Sequence, residues 1–167
     1  MDVSIRPVRP AEHEDLGEIT ARAYLDDGLL DFGAEDPYLE QLRAVERRAA
    51  EAEVLVAVDA GDHVLGGVAY VPPGSPWADI AGDGEAEFRM LAVSPDARGR
   101  GTGEALVRAC VDRARAAGGL SRIVLSTHPA MLGAHRIYRR LGFVRTPERD
   151  WNPLPGGPPL LTYRLDL

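Results

Sequence analysis

Met90-Leu91-Ala92-Val93-Ser94-Pro95-Asp96-Ala97-Arg98-Gly99-Arg100-Gly101-Thr102-Gly103-Glu104-Ala105-Leu106 is the stretch from which the rest of the chain is best read. The run Glu87–Val93 (EFRMLAV) predicts a strand, and Ser94–Arg100 a loop carrying Pro, Gly and Arg. From about Gly101 to Ala117 the spacing predicts a helix with Leu106, Cys110 and Ala114 on one side, stopped by Gly118-Gly119. The first turn of a helix carries unpaired N–H groups and a partial positive charge, so it favours an anion. Gly99, Gly101 and Gly103 remove Cβ atoms where a ligand's oxygens would approach the backbone, while Arg98 and Arg100 add positive charge. The bend therefore suits a phosphate or diphosphate. The dinucleotide fingerprint is excluded, because Glu104 stands where its third glycine belongs.

Outward from this stretch, the pattern predicts a strand over 3–7, a helix from Pro10 to about Tyr24, and a loop rich in Asp and Gly over 25–36. Pro37 opens a second helix to about Ala52. Glu53–Asp59 and Val64–Val71 read as a hairpin, and the Pro/Gly-rich segment 72–84 as a loop. Strands over 122–127, 143–146 and 160–165 surround a helix over 131–141, with an irregular Pro/Gly segment at 151–159. Hairpins and helical crossovers in one short chain imply an α/β fold with a single mixed sheet.

At 167 residues, with 45% hydrophobic and 27% charged residues, the chain is expected to form one domain spanning 1–167 around one core. No apolar run reaches the roughly 20 residues that cross a bilayer, and the first residues lack the pattern of a secretory signal, so a cytoplasmic location is expected. A lone cysteine, Cys110, leaves no internal disulfide or four-cysteine zinc site, and no cluster has metal-ligand spacing. All 19 basic residues are arginine, which excludes a P-loop lysine and a lysine Schiff base. A net charge of −7 argues against nucleic acid or anionic membrane as partner.

Arg98-x-x-Gly101-x-Gly103 resembles the acetyl-CoA signature of the GNAT superfamily of N-acetyltransferases. Ala134-His135-Arg136-Ile137-Tyr138-Arg139-Arg140-Leu141-Gly142-Phe143 resembles the late helix of the same superfamily, matching its Tyr, Gly and Phe at Tyr138, Gly142 and Phe143. The order of elements also agrees over nearly the whole chain. The resemblance implies a GNAT-like fold: a single mixed, mostly antiparallel sheet flanked by about four helices. It implies acetyl-CoA as co-substrate, with the pantetheine arm along Leu91, Ala92 and Val93 and the diphosphate on the backbone from Arg98 through Gly99, Arg100, Gly101 and Thr102 to Gly103, with Glu104 close by. An N–H near Leu91 would polarise the thioester carbonyl. Arg136, Arg139 and Arg140 are candidates for the outer phosphates. Many members carry Asn seven residues before the tyrosine; here that position is Met131, placed against the pantetheine arm or the acceptor pocket.

The chemistry makes two demands. An alkyl amine with a pKa of roughly 10.4 must lose a proton, at a cost on the order of 4–5 kcal/mol at pH 7, and a leaving thiolate near 8.5 must gain one. The resemblance makes Tyr138 the proton donor. Glu87 is the candidate base, expected on the same side of its strand as Leu91 by alternation, with Glu85 and His128 as weaker alternatives. The acceptor is an unidentified primary amine or peptide N-terminus. Asp26, Asp27, Asp31, Glu35 and Asp36 could draw a cationic amine, and Trp77 and Trp151 are candidate pocket walls, Trp151 alternatively anchoring a homodimer or the last strand. No nucleophile–base pair suggests a covalent intermediate. The competing readings are a noncatalytic acyl-CoA-binding module, a different acyl donor, or an O-linked acceptor.

Overall fold

The runs EVLVAV and VLGGVAYV are apolar at almost every position, the mark of strands covered on both faces, and helices do cover them on both. The computed structural model describes residues 3–167. In chain order it contains β1 (Ser4–Pro7), α1 (His13–Asp26), α2 (Tyr38–Arg43), α3 (Val45–Glu51), β2 (Glu53–Val58), β3 (Val64–Val71) and β4 (Glu85–Val93). These are followed by α4 (Thr102–Ala117), β5 (Arg122–Thr127), α5 (Leu132–Arg140), β6 (Val144–Arg145) and β7 (Leu161–Asp166). The strands form one sheet in the order β1-β2-β3-β4-β5-β7-β6, antiparallel throughout except for the β4–β5 pair.

Alternation sorts the side chains into two cores. Leu55, Ala57, Tyr70 and Phe88 point to one face, where α4 (Leu106, Val107, Cys110, Val111) and Tyr138 of α5 close over them. Val54, Val56 and Val58 point to the other, against Leu16 of α1 and Val45 of α3. Beside them Ala21, Leu39, Leu42, Val71, Trp77 and Met90 form a third cluster under α1 and α2. Cys110 is fully buried in the first core.

The helix expected from Pro37 to Ala52 is two helices, broken at Ala44 (ψ 54°). The break has a partner. Arg48 is 2% exposed, and its guanidinium donates to the carbonyls of Gln41 and Leu42, the last turn of α2. A cation at a helix C-terminus is favoured there, and the free carbonyls are satisfied. Burial still lowers the Arg48 pKa, to about 10. Gly17 in α1 lets that helix lie against the backbone of Arg43, which a Cβ would meet at 3.0 Å.

Two features of β4 position the site. Its ladder with β5 covers only Glu85↔Arg122 to Glu87↔Val124, after which the two parallel strands separate. Met90, a non-glycine residue, sits at φ 57°, and the β3–β4 register shifts between Gly67 and Ala69. This is a β-bulge, and it reverses the phase of the strand. Arg89 and Met90 both lie on the α1–α2 side, whereas Leu91 and Val93 pack with Phe88 against the α4–α5 core. The expectation that Glu87 and Leu91 share a side is therefore corrected: simple alternation fails across the bulge.

Gly66 sits opposite this part of β4, where a Cβ would collide with the carbonyl oxygen of Ala92. Backbone cannot yield as a side-chain tip can, so Gly66→Ala should destabilise the protein by about 1–3 kcal/mol, read as a lower denaturation midpoint. Gly133→Ala, at a position where a Cβ would meet nothing within 4 Å and the backbone is not left-handed, controls for the loss of glycine and should not lower the midpoint.

Candidate active site

Beyond the point where β4 and β5 part, a cavity of about 580 Å³ opens beside the free end of β4. Its walls include Leu91 and Val93 of β4, the bend Arg98 to Glu104, and Met131, Ala134 and Ile137 around the start of α5. Tyr24 and Asp27 close it from α1 and its end. Gly99 (φ 79°) and Gly101 (φ 75°) adopt left-handed conformations that turn the chain into α4. No side chain caps this helix start, so its first-turn amides face the cavity mouth without a capping partner. The bend thus fits an anionic group. Thr102 is turned inward, its hydroxyl donating to the Ala97 carbonyl at 3.3 Å. Two cations flank the mouth: Arg98 lies 3.5 Å from Asp27, and Arg140 lies 2.6 Å from Glu104. Arg140, with Arg108 behind it, holds the Glu104 carboxyl below its usual range.

Of the residues expected along this path, Leu91, Val93, Arg98, Gly99, Gly101, Thr102, Gly103, Glu104 and Met131 line the cavity. Ala92 points into the sheet's core and can contribute only its backbone. Arg100, between the two left-handed glycines, is exposed and outside the wall, as are Arg136 and Arg139. Met131 stands at the N-cap of α5, its sulfur 3.8 Å from the Thr127 hydroxyl.

Tyr138, expected at the cofactor, is buried at 3% exposure and lines neither cavity: it packs among Phe88, Phe143 and Tyr163 at ring-centroid distances of 5.8, 5.9 and 5.6 Å, one residue along α5 from the cavity wall at Ile137. Burial first, then the neighbouring Cys110 and Tyr163, push its phenol well above the ordinary tyrosine value, with Thr127 opposing. A phenol held neutral can give a proton only to a base formed beside it, and a thiolate in the same dry setting is itself made more basic.

Glu87 is fully buried and lines neither this cavity nor the second one described below. Its Oε1 accepts from the amides of Asp79, Ile80 and Ala81, each at 3.0 Å, while Oε2 has no partner. Desolvation raises its pKa despite those amides. Its visible work is to hold the 79–81 segment. Glu85 is likewise committed: Arg149 donates to both its oxygens at 2.9 Å, and the Gly82 amide donates to Oε1. The Pro/Gly-rich loop is thus pinned from two sides, and Trp77 pins it again. Trp77 is 9% exposed, stacked between Arg48 and Arg89, with its indole N–H on Glu51 at 3.2 Å. It is core, and the expectation that it walls a pocket is corrected.

A second cavity, of about 510 Å³, lies on the α1–α2 side and shares Leu29 with the first. Trp151 is one wall, held by its indole N–H on Ser126 at 2.9 Å and a bridge to Leu160. Four further residues with no motif around them also line it: Tyr38, Asp79, Arg89 and His128, the last weighed in the sequence only as a base. The Arg89 guanidinium reaches Asp79 at 3.1 Å, the Trp77 carbonyl at 3.0 Å and the Tyr38 hydroxyl at 3.0 Å. Arg89 gave no signal in the sequence, because a charged residue at an alternating strand position reads as solvent-facing, and its partners Asp79, Trp77 and Tyr38 come from distant segments. Of the acidic loop, Asp36 is structural, accepting from the amides of Phe32 and Tyr38, and Asp31 borders the second cavity. Among the described residues no group of three or more His, Cys, Asp or Glu side chains could hold a metal, and no helix is long and apolar enough to cross a membrane.

The wall carrying Trp151 depends on Asp150, which accepts from both Arg145 terminal nitrogens at 2.8 and 2.7 Å and from the Thr162 amide. Arg145 holds the Asp150 pKa at about 2. A depressed acid contributes stability above its unfolded value of about 3.9, lost as pH falls through the folded value. Asp150→Asn should lower the Tm by about 3 °C at pH 7, with the gap from wild type closing as pH drops below about 4.

Comparison with known proteins adds to this geometry. Residues 14–143 match the family model described as the acetyltransferase (GNAT) family. A mycothiol acetyltransferase from Cellulomonas flavigena is 30% identical over 94% of this chain and 45% of its own length. The chain spans about half the length of the curated relatives it matches. Among solved structures, a GNAT-family acetyltransferase from Staphylococcus aureus superposes with a TM-score of 0.74 at 15% identity, covering 99% of both chains. A phosphinothricin acetyltransferase from Sinorhizobium meliloti in complex with AcCoA gives 0.73 at 21% identity, over 100% of this chain and 89% of that one.

Proposed function

The chain belongs to the acetyltransferase (GNAT) family, and we propose that it transfers an acetyl group from acetyl-CoA to a primary amine by direct attack in a ternary complex. The observation that carries this reading is the parting of β4 from β5 beyond Glu87, with an uncapped helix start at its mouth. A chain of amide groups such as pantetheine can pair with the free edge of Leu91–Val93, as an added strand would. The first-turn amides from Gly101 to Glu104 would hold the diphosphate, with Arg98 and Arg140 as outer cations. Both cavities are built on one sheet, which supports reading residues 1–167 as one transferase domain.

In the reaction, the amine nitrogen attacks the thioester carbonyl carbon. The C–N bond forms and the C–S bond breaks. An N–H of the bulged strand near Leu91 would stabilise the carbonyl oxygen as it gains charge. The Tyr138 hydroxyl would protonate the departing sulfur. The amine must arrive neutral or lose its proton on the acceptor side, since the cost of deprotonation, on the order of 4–5 kcal/mol at pH 7, would otherwise fall on the rate. Glu87 would serve as a positioning residue through the 79–81 segment, because its own carboxylate meets neither cavity.

Two measurements test the reading. Coenzyme A should raise the Tm of the wild-type protein. Tyr138→Phe should keep that thermal shift while losing about 10²-fold in kcat with acetyl-CoA and an amine acceptor. Full turnover in the variant removes Tyr138 from the mechanism, and no thermal shift in the wild type removes the donor site.

A further inference from the structure

The second cavity has a composition that selects among amines. Its walls are largely apolar: Leu30, Phe32, Tyr38, Trp151, Leu154 and Leu160. Phe32 and Leu154, on its two opposing loops, are among the few large apolar side chains the protein leaves exposed, at 64% and 42%. The loops touch, with Asp31 Oδ2 3.5 Å from where a Cβ on Gly157 would stand. The charges are unequal in kind. Three carboxylates border the cavity, Asp31, Asp36 and Asp79, against one guanidinium, Arg89. Arg89 is already engaged by Asp79, Trp77 and Tyr38. The Nδ1 of His128 is occupied, accepting from the Ala130 amide at 3.0 Å. Asp36 has both oxygens on backbone amides. Asp79 has one oxygen on Arg89, and its side chain stays 26% exposed.

We propose that this cavity takes a primary amine with an apolar or aromatic body and no carboxylate, its ammonium directed to Asp79. The inference rests on the acetyltransferase reading and names the acceptor class for it. An arylalkylamine buries its ring against Trp151, Phe32 and Leu154 and brings its one charge to a carboxylate. An α-amino acid would bring a second, negative charge toward Asp31 and Asp36 and meet no uncommitted cation. The ammonium gives one proton to an Asp79 carboxylate oxygen, which passes it to solvent at the cavity mouth, and the nitrogen lone pair so freed attacks the thioester carbonyl; as the adduct collapses the C–S bond breaks, Tyr138 protonates the sulfur, and the second proton lost from the nitrogen restores the Tyr138 phenol, so that ammonium and thioester give amide, thiol and one released proton. The groups that face Asp79 set its readiness. Desolvation raises it above the usual aspartate range and Arg89 opposes. Glu87 beneath it and Tyr38 opposite also couple to it, with Asp31, Asp36 and His128 along the walls. Arg89 follows Glu87 onto this side by plain alternation and holds Asp79 there, while the bulge at Met90 turns Leu91 to the other cavity.

The experiment compares 2-phenylethylamine with L-phenylalanine, which differ only by the carboxylate, in thiol release from acetyl-CoA. A kcat/KM at least ten-fold higher for 2-phenylethylamine is expected. Equal rates, or a preference for phenylalanine, would overturn the acceptor class and leave the donor site standing. Transfer to neither, in protein that coenzyme A still stabilises, also overturns it. Without that stabilisation the acetyltransferase reading itself fails. For 2-phenylethylamine, Asp79→Asn should lose about ten-fold or more at pH 7 and regain rate toward pH 10, where the amine needs no base. A loss independent of pH would show that Asp79 only holds Arg89 and would overturn its role as proton acceptor.

Discussion

Backbone N–H and C=O groups inside a protein must find partners, and the parting of β4 from β5 leaves a stretch of interior strand without its neighbour. Everything else at the site follows from that separation. It creates the first cavity, it exposes an edge that an amide-bearing chain can satisfy, and it aligns that edge with the unpaired amides at the start of α4. A fold that closed the gap would gain hydrogen bonds and lose the first cavity.

The carboxylates of this acidic chain are mostly occupied in building. Glu87 gathers three amides, Glu85 takes Arg149, Asp36 fastens the segment before α2, and Asp150 fastens Trp151. Each turns a segment rich in Pro, Gly or Asp into a fixed wall, which hydrophobic burial could not do in so polar a sequence. Arginine is the usual partner, and its planar, forked donors suit this work better than a lysine would. Arg48 shows the extreme, a buried cation with no carboxylate, held by the carbonyls at a helix end and the face of Trp77.

Much of this was legible in the sequence. The Gly-x-Gly bend and the Tyr-x-x-x-Gly-Phe run carried the family, and the hydrophobic periods gave the strands and α4 nearly to the residue. What was not legible has specific causes. The break at Ala44 depends on a side chain four residues later folding back over a helix end, a tertiary contact with no local signature. The bulge at Met90 occurs at a residue with no preference for positive φ, so alternation misassigned Glu87 relative to Leu91. Asp79 and Arg89 belong to no motif and meet through a tertiary contact between the 72–84 loop and β4, and the acceptor side was correspondingly opaque.

An unbranched side chain held at φ 57° carries strain of order 1 kcal/mol, which the neighbouring strands must offset. In return, successive positions of one strand address two compartments that never compete for the same side chain. Position 89 borders the second cavity and positions 91 and 93 the first, so a substitution at one leaves the lining of the other in place. A single-residue insertion upstream of the kink would do the reverse and scramble both inventories at once. Such partitioning lets one short strand wall two chambers without either dictating the composition of the other.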